Sequence, residues 1–346
     1  MMRLVVRTPN WLGDIVMALP VFAALREQYP EEVLVAATPG SYAPLLSLVP
    51  GVNEVLSLPT GGWAQLRALR QGRFDAALLL TNSFGTAWTI RRAGIPERWG
   101  FSGQWRRPLL TRALTPPPRR PPLHHVARYL ELVRGLGIEA RVTEPGVVAS
   151  AEMIQGARRL LDEMGGDSRR PIVGIAPGAA YGHAKRWLPD RYARVVARVC
   201  HEFDACVVLL GSSHDRDAGH AIECTLAATG EASNVVNLIG RTDLALLVGL
   251  LAVSSAVISS DSGPMHLAAA LGIPVTALFG PTDDRLTSPV GRHDVLTHQV
   301  RCRPCFCRDC PIDHRCMTGI SENTVFESVV AHLTASQSES GETELS

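Results

Sequence analysis

Short apolar runs closed by glycine, proline or polar residues alternate along the chain with longer stretches in which apolar positions recur at helical spacing. Arg3 to Thr8 reads as a strand, Asn10 to Gly13 as a turn, and Ile15 to Gln28 as a helix with Ile15, Leu19, Phe22 and Leu25 on one face. Strands are predicted next at Val33 to Ala37 and Ala76 to Thr81, with helical stretches between them. Alternation of this kind builds open parallel sheets. Pro116, Pro117, Pro118, Arg119, Arg120, Pro121 and Pro122 interrupt it as a surface loop, and a helix from His125 to Leu136 follows.

A helix from Ala151 to Met164 leads into Gly165 to Pro171, where breakers and charge together read as an interdomain linker. The pattern then restarts. Strands are expected at Ile172 to Ala176, Ala205 to Leu210, Val235 to Leu238, Ala256 to Ser259 and Val275 to Phe279. Helices are expected at Asp190 to His201, Ala218 to Ala228, Leu244 to Leu251 and Met265 to Leu271. The fold class is therefore α/β, with two Rossmann-like parallel-sheet domains over residues 1–165 and 171–334 facing a central cleft. The polar, acidic stretch from Ala335 to Ser346 is expected to be a disordered tail.

Composition narrows the classes. The chain has 346 residues, 46% hydrophobic and 19% charged, enough for two ordinary cores and unlike a disordered chain. Lys plus Arg number 34 against 33 Asp plus Glu, so no broad basic surface marks a nucleic-acid binder, and any anion site must be local. Eight cysteines are too sparse for a disulfide scaffold and fit a reducing, cytoplasmic setting. Pro9, Asn10 and Asp14 interrupt the apolar N-terminus where a signal peptide needs an unbroken core. The longest apolar run, Leu244 to Ile258, is shorter than the roughly 20 residues of a spanning helix.

Three loops carry candidate chemistry. In Pro9 to Asp14, Gly13 permits a tight turn and Asp14 projects from a helix start, either as a weak general base or as an ordinary first-turn acid. In Ala176 to Trp187, the small residues around Gly178 let backbone N–H groups approach an anion, and Lys185 and Arg186 add positive charge. The bland alternative is a solvated basic loop. In Ser260 to Leu267, Gly263 followed by Pro264 opens a helix whose free N–H groups suit an anion, and Ser262 adds a hydroxyl. Asp261 is there a sugar-binding carboxylate or an N-cap, and His266 a ligand or a core histidine. No metal-bridging D-x-D lies near these loops, so metal-independent chemistry is expected, with no cofactor.

Cys302, Cys305, Cys307, Cys310 and Cys316, with His314 nearby, suggest either structural zinc or reduced thiols packing a compact loop. The lack of a second, distant CxxC knuckle favours the thiols. Arg91, Arg92, Arg98, Arg106, Arg107, Arg112, Arg119 and Arg120 mix with Trp99, Phe101 and Trp105, either a solvated face or a surface for an anionic, partly apolar acceptor at a membrane.

Taken together, P-N-W-L-G-D from Pro9, A-P-G-A-A-Y-G-H-A-K-R-W from Ala176 and D-S-G-P-M-H-L-A-A-A-L-G-I-P-V-T-A-L-F-G-P-T from Asp261 resemble glycosyltransferase family 9, from about Met2 to about Leu333. The first motif and the cysteine cluster look more like the branch that adds the second heptose than the one that adds the first. The resemblance implies a GT-B fold, an acceptor on the N-terminal domain, ADP-L-glycero-D-manno-heptose on the C-terminal domain, and inversion at the anomeric carbon. Asp14 matches the proposed general base, Lys185 the lysine at the donor's diphosphate side, Ser262 and Gly263 the phosphate contacts, and Asp261 and His266 the remaining donor positions. Gly13, Gly178 and Tyr181 join the expected substrate-binding set. Ala180 and Tyr181 stand where relatives carry hydroxyl residues, and Ser213 where the first heptosyltransferase has an acid, with Asp215 a substitute. The implied acceptor is heptosyl-Kdo2-lipid A at the cytoplasmic face of the inner membrane, contacted peripherally. The alternatives are another acceptor within the family, or a GT-B-like sugar-nucleotide epimerase, whose extra acidic and histidine groups are not apparent.

Overall fold

The computed structural model describes residues 1–118, 120–230 and 234–343. The chain divides into two compact units, Met1–Val148 and Ala149–Ser346. In the first, β1 (Arg3–Arg7), β2 (Val33–Pro39), β3 (Glu54–Leu58), β4 (Ala76–Leu79), β5 (Glu97–Phe101) and β6 (Arg112–Leu114) form a six-stranded sheet in the order β3-β2-β1-β4-β5-β6. All its pairings are parallel. Its helices are α1 (Leu12–Met17), α2 (Pro20–Gln28), α3 (Ala43–Leu46), α4 (Gly62–Gln71), α5 (Phe84–Arg92) and α6 (His125–Arg134).

The second unit holds α7 (Ala151–Glu163), β7 (Ile172–Ala176), α8 (Pro189–Phe203), β8 (Cys206–Leu209), α9 (Arg216–Thr229), β9 (Val235–Asn237), α10 (Leu244–Ala252) and β10 (Ala256–Ser260). It continues with α11 (Gly263–Ala270), β11 (Val275–Phe279), α12 (Asp284–Thr287), β12 (His293–Thr297), α13 (Arg315–Thr318) and α14 (Glu322–Thr343). Its sheet runs β12-β11-β10-β7-β8-β9, again parallel, so each unit repeats one plan: three strands stepping outward from the first, then three stepping the other way. Central strands β4, β7 and β10 are buried throughout because helices cover both faces, which is why they read as continuous apolar runs.

The structure revises four expectations. The helix over 15–28 is two helices. Pro20 has no N–H to donate, so the chain tightens through Leu19 N–H to Val16 O (3.1 Å) and Val21 N–H to Ala18 O (3.1 Å). The unit boundary lies at Val148, not within 165–171, because α7 packs on α10. A Cβ on Gly249 would come 2.3 Å from the Met153 carbonyl oxygen, so only glycine lets the helices approach this closely. Nor is 165–171 a free linker, since Ser168 N–H and Oγ donate to Asp162 at 2.9 and 3.0 Å. Finally, α14 carries the backbone past Ala335 to Thr343, where a disordered tail was expected. Residues 344–346 of that stretch, and Arg119 of the proline-arginine loop, lie outside the described residues. The apolar run from Leu244 is a helix followed by a strand, and no helix among the described residues is long and apolar enough to cross a membrane.

Candidate active site

In each sheet the strand order reverses between two neighbours, β1 and β4 in the first and β7 and β10 in the second. Loops leaving the carboxyl ends of such a pair diverge and leave a crevice where ligands of open α/β sheets bind. The three candidate loops follow β1, β7 and β10.

In the first unit the turn ends at Trp11, two residues earlier than expected. Gly13 lies inside α1 and is not the turn residue. Asp14 occupies the first turn of α1, close to the free N–H groups that favour a carboxylate there. Two residues of α6, which packs on α1 and α2, complete its surroundings: His125 Nδ1 lies 3.4 Å from Asp14 Oδ1, and the Tyr129 hydroxyl donates to the same oxygen at 3.5 Å. Burial first, and Asp14 second, hold Tyr129 well above the usual phenol range, so it remains a neutral donor. Neither residue was singled out from sequence. Their separation of four positions on a helix is the signal that was present. Beneath them Arg7 is buried, lowered by desolvation to about 10, and donates to the Thr8 carbonyl and to Asn10 Oδ1 (2.7 Å), shaping the turn ahead of Asp14.

In the second unit Lys185 Nζ meets Asp261 Oδ2 at 2.6 Å, tying the loop after β7 to the loop after β10. Asp261 also accepts from Thr282 Oγ1 at 2.6 Å, so it is an ion-pair partner and not an N-cap. The ammonium sits 5.0 Å from the Tyr181 ring centroid, with the Arg308 guanidinium at 5.3 Å. Gly178 is required by crowding: a Cβ there would lie 2.1 Å from the Asp215 carboxyl carbon. Asp215 is committed to structure, taking Ser212 N–H (3.0 Å), Ser212 Oγ (2.8 Å) and Arg186 Nη2 (3.2 Å). Ser262 is the N-cap of α11 and makes no side-chain cap; its hydroxyl lies 3.2 Å from Ser259 Oγ, so the N-cap residue leaves the N–H groups of the first turn uncapped by its own side chain. His266, in that helix, is buried.

The cysteine-rich segment grips the lysine loop. Ala184 N–H donates to Arg308 O (2.8 Å), His314 Nε2 lies 2.6 Å from Ala184 O, and the Tyr181 hydroxyl donates to Phe306 O (2.8 Å). Cys316 is buried in the core of this unit, and burial pushes its thiol up. Among the described residues no group of three or more His, Cys, Asp or Glu is disposed to hold a metal. The expected arginine and aromatic surface is partly core. Trp99 and Phe101 are buried, and fully buried Arg106, lowered by desolvation to about 10, donates to Phe101 O (2.7 Å), Thr81 O and Asn82 Oδ1 (3.0 Å).

The sequence profile of glycosyltransferase family 9 (heptosyltransferase) matches residues 63–315. The chain belongs to this family. It is 34% identical over 312 residues to lipopolysaccharide heptosyltransferase 2 of Salmonella typhimurium, covering 87% of each chain, and equally so to that of Escherichia coli K12. The solved structure of E. coli ADP-heptose LPS heptosyltransferase II superposes with a TM-score of 0.84 at 30% identity, over 97% of this chain and all of that one. The two parallel sheets are thus the GT-B fold of a family 9 heptosyltransferase. Within that fold, Tyr181, where relatives were expected to offer a hydroxyl to the ligand, spends its own on Phe306, and Asp215 spends its carboxylate on Ser212 and Arg186.

Proposed function

We propose that the chain transfers L-glycero-D-manno-heptose from ADP-heptose to the first heptose of Kdo2-lipid A, with inversion and without a metal, in lipopolysaccharide core synthesis. The relatives' names support the donor and the pathway. The observation that carries the assignment of the donor site is the Lys185–Asp261 pair at the second switch point, beside an α11 N-terminus whose N-cap side chain is turned away. An ammonium and a helix N-terminus are what a departing diphosphate needs in place of a cation.

In this reading Asp14 takes the proton of the acceptor hydroxyl as its bond to the anomeric carbon forms, while the carbon–oxygen bond to ADP breaks. One displacement inverts the centre. A carboxylate at a helix start is a weak base, and that is sufficient because the hydroxyl becomes acidic only as it attacks. Tyr129 and His125 hold Asp14 Oδ1 and leave Oδ2 for the acceptor. Asp261 positions Lys185, and Ser262, Gly263, Gly178, Gly13, Tyr181 and His266 complete the substrate-binding set. The enzyme works peripherally at the cytoplasmic face of the inner membrane.

The test is incubation of EDTA-treated protein with ADP-heptose and mono-heptosylated Kdo2-lipid A, reading ADP release and acceptor mass. A heptose mass gain that needs acceptor is expected. ADP-heptose consumption without acceptor, or no gain despite donor binding, would refute the reaction as stated.

A further inference from the structure

Helices α4 and α5 pack side by side on the first sheet, with Leu69 of α4 and Ala87 and Ile90 of α5 in the core beneath. Their outer faces are unusual. On α4 the outward positions Trp63, Arg67 and Arg70 recur at i, i+4 and i+7, and on α5 Phe84, Trp88 and Arg91 do the same, with Arg92 beside them. Trp63 is 75% exposed, Trp88 45% and Phe84 44%, and all four arginines are exposed. Neither helix carries a carboxylate. Arg92 lies 5.2 Å from the Trp63 ring centroid and 6.0 Å from that of Trp88, joining the two helices into one patch, and Phe84 stacks on Trp88 at 6.2 Å. Arg91 reaches the neighbouring loop at Pro108 O (2.9 Å). There buried Arg106 anchors a turn in which Gln104 and Trp105 take positive φ, and Trp105 stands 93% exposed.

A soluble helix normally shows water glutamate and lysine, not tryptophan and arginine. Indole rings favour the boundary between headgroups and acyl chains, and guanidinium groups pair with lipid phosphate while their stems cover apolar surface. We infer that Trp63, Phe84, Trp88 and Arg92, with Arg67, Arg70 and Arg91 around them, are the surface by which the protein docks on an anionic bilayer. The inference deepens the lipid-linked acceptor of the proposed function and rests on that reading only for the choice of a bilayer as partner. The absence of carboxylates across both outer faces is the charge complement an anionic surface requires.

The test is co-sedimentation of the full chain with vesicles of phosphatidylethanolamine holding about 30% phosphatidylglycerol, against vesicles of phosphatidylcholine alone, over a salt series. Binding to the anionic vesicles should weaken with salt, fall about fivefold in Arg92→Gln and again in Arg67→Gln, and fall about tenfold in Trp63→Ala/Trp88→Ala. Turnover on detergent-dispersed acceptor should stay at the parent level, which also shows that the variants fold. The proposal is overturned if the variants bind as the parent does, if phosphatidylcholine binds equally, or if the parent sediments as a dimer that the tryptophan variant breaks. Vesicle binding is read without heptose transfer, so failure of the transfer assay alone would remove the proposed reaction and leave this surface standing.

Discussion

The Lys185–Asp261 pair makes the sharpest prediction, because stability and activity should separate there. The two groups lie 2.6 Å apart with side chains only 13% and 6% exposed. At an effective dielectric constant of about 20 their attraction is of order 6 kcal/mol before desolvation is subtracted. Lys185→Met strands a buried carboxylate, a change that costs about 3–5 kcal/mol in such pairs. Thr282 still donates to Asp261, so the lower end, about 3 kcal/mol, is expected. Asp261→Asn leaves the more exposed partner against the Tyr181 ring and should cost about 1–2 kcal/mol. In the double variant no buried charge remains and the amide that replaces the Asp261 carboxylate keeps a bond to Thr282, so the loss should return to about 1 kcal/mol, well below the sum of the singles. Native-state hydrogen exchange of the β7 and β10 amides reads the second unit by itself and suits the measurement. Activity should not follow: if Lys185 meets the leaving diphosphate, the double variant is as inactive as Lys185→Met. Additive stability losses, or recovery of turnover in the double variant, would refute the reasoning.

Three other outcomes follow from the geometry. Asp14→Asn should lower kcat by about 10²–10⁴-fold with ADP-heptose affinity unchanged by calorimetry, and full turnover would remove Asp14 from proton transfer. Gly178→Ala places a Cβ 2.1 Å from the Asp215 carboxyl carbon, so the loop must shift; donor affinity should fall while hydrogen exchange in the first unit stays unchanged. His332 is held below its ordinary value of 6.5, by burial first and with Arg292 and His293 in the same sense, against an opposing pull from Asp294. The unfolded chain therefore takes up that proton first on acidification. The stability His332 contributes is present above about pH 6.5 and declines below it, and His332→Gln should flatten that decline in the second unit's exchange rates.

The central strands and the three loops were legible because a strand buried on both faces writes itself as an apolar run, and the loop after it as small and polar residues. Three of the four edge strands were not, Val235–Asn237 being the exception, nor was Glu97–Phe101 inside the first sheet. Glu54–Leu58, Arg112–Leu114 and His293–Thr297 are short or mixed in polarity, because an edge strand has one open flank to keep solvated. Long-range partners were equally hidden. Nothing near Asp14 in sequence announces Tyr129, and nothing near Lys185 announces Thr282 as the third member of its pair. The arginine-rich stretch misled for a simpler reason: composition counts Arg106 and Trp99 with the surface, whereas one has no exposure and the other lies in the core. Of its three aromatic residues only Trp105 is exposed, and the other exposed rings nearby sit on α4 and α5, where the helical period of Trp63, Arg67 and Arg70 could have shown them.

The two switch points share a topology and differ in what they present, and the difference bears on how the donor is held. At the second, Lys185 and Arg186 look like an anion trap in sequence, yet each is already paired, with Asp261 and with Asp215. Those four charges cancel, so through these two pairs the site offers a diphosphate no net charge. It offers oriented donors: the N–H groups at the start of α11 and an ammonium that Asp261 holds at a fixed place. A ligand that engages Lys185 must share it with Asp261, which weakens ground-state binding and leaves the full charge for the moment the diphosphate leaves as an anion. A site of two unpaired cations would bind ADP-heptose tightly and lose it steeply with salt. This one should bind moderately, with a KM for ADP-heptose that changes little across ionic strength while Asp261→Asn makes it steeper.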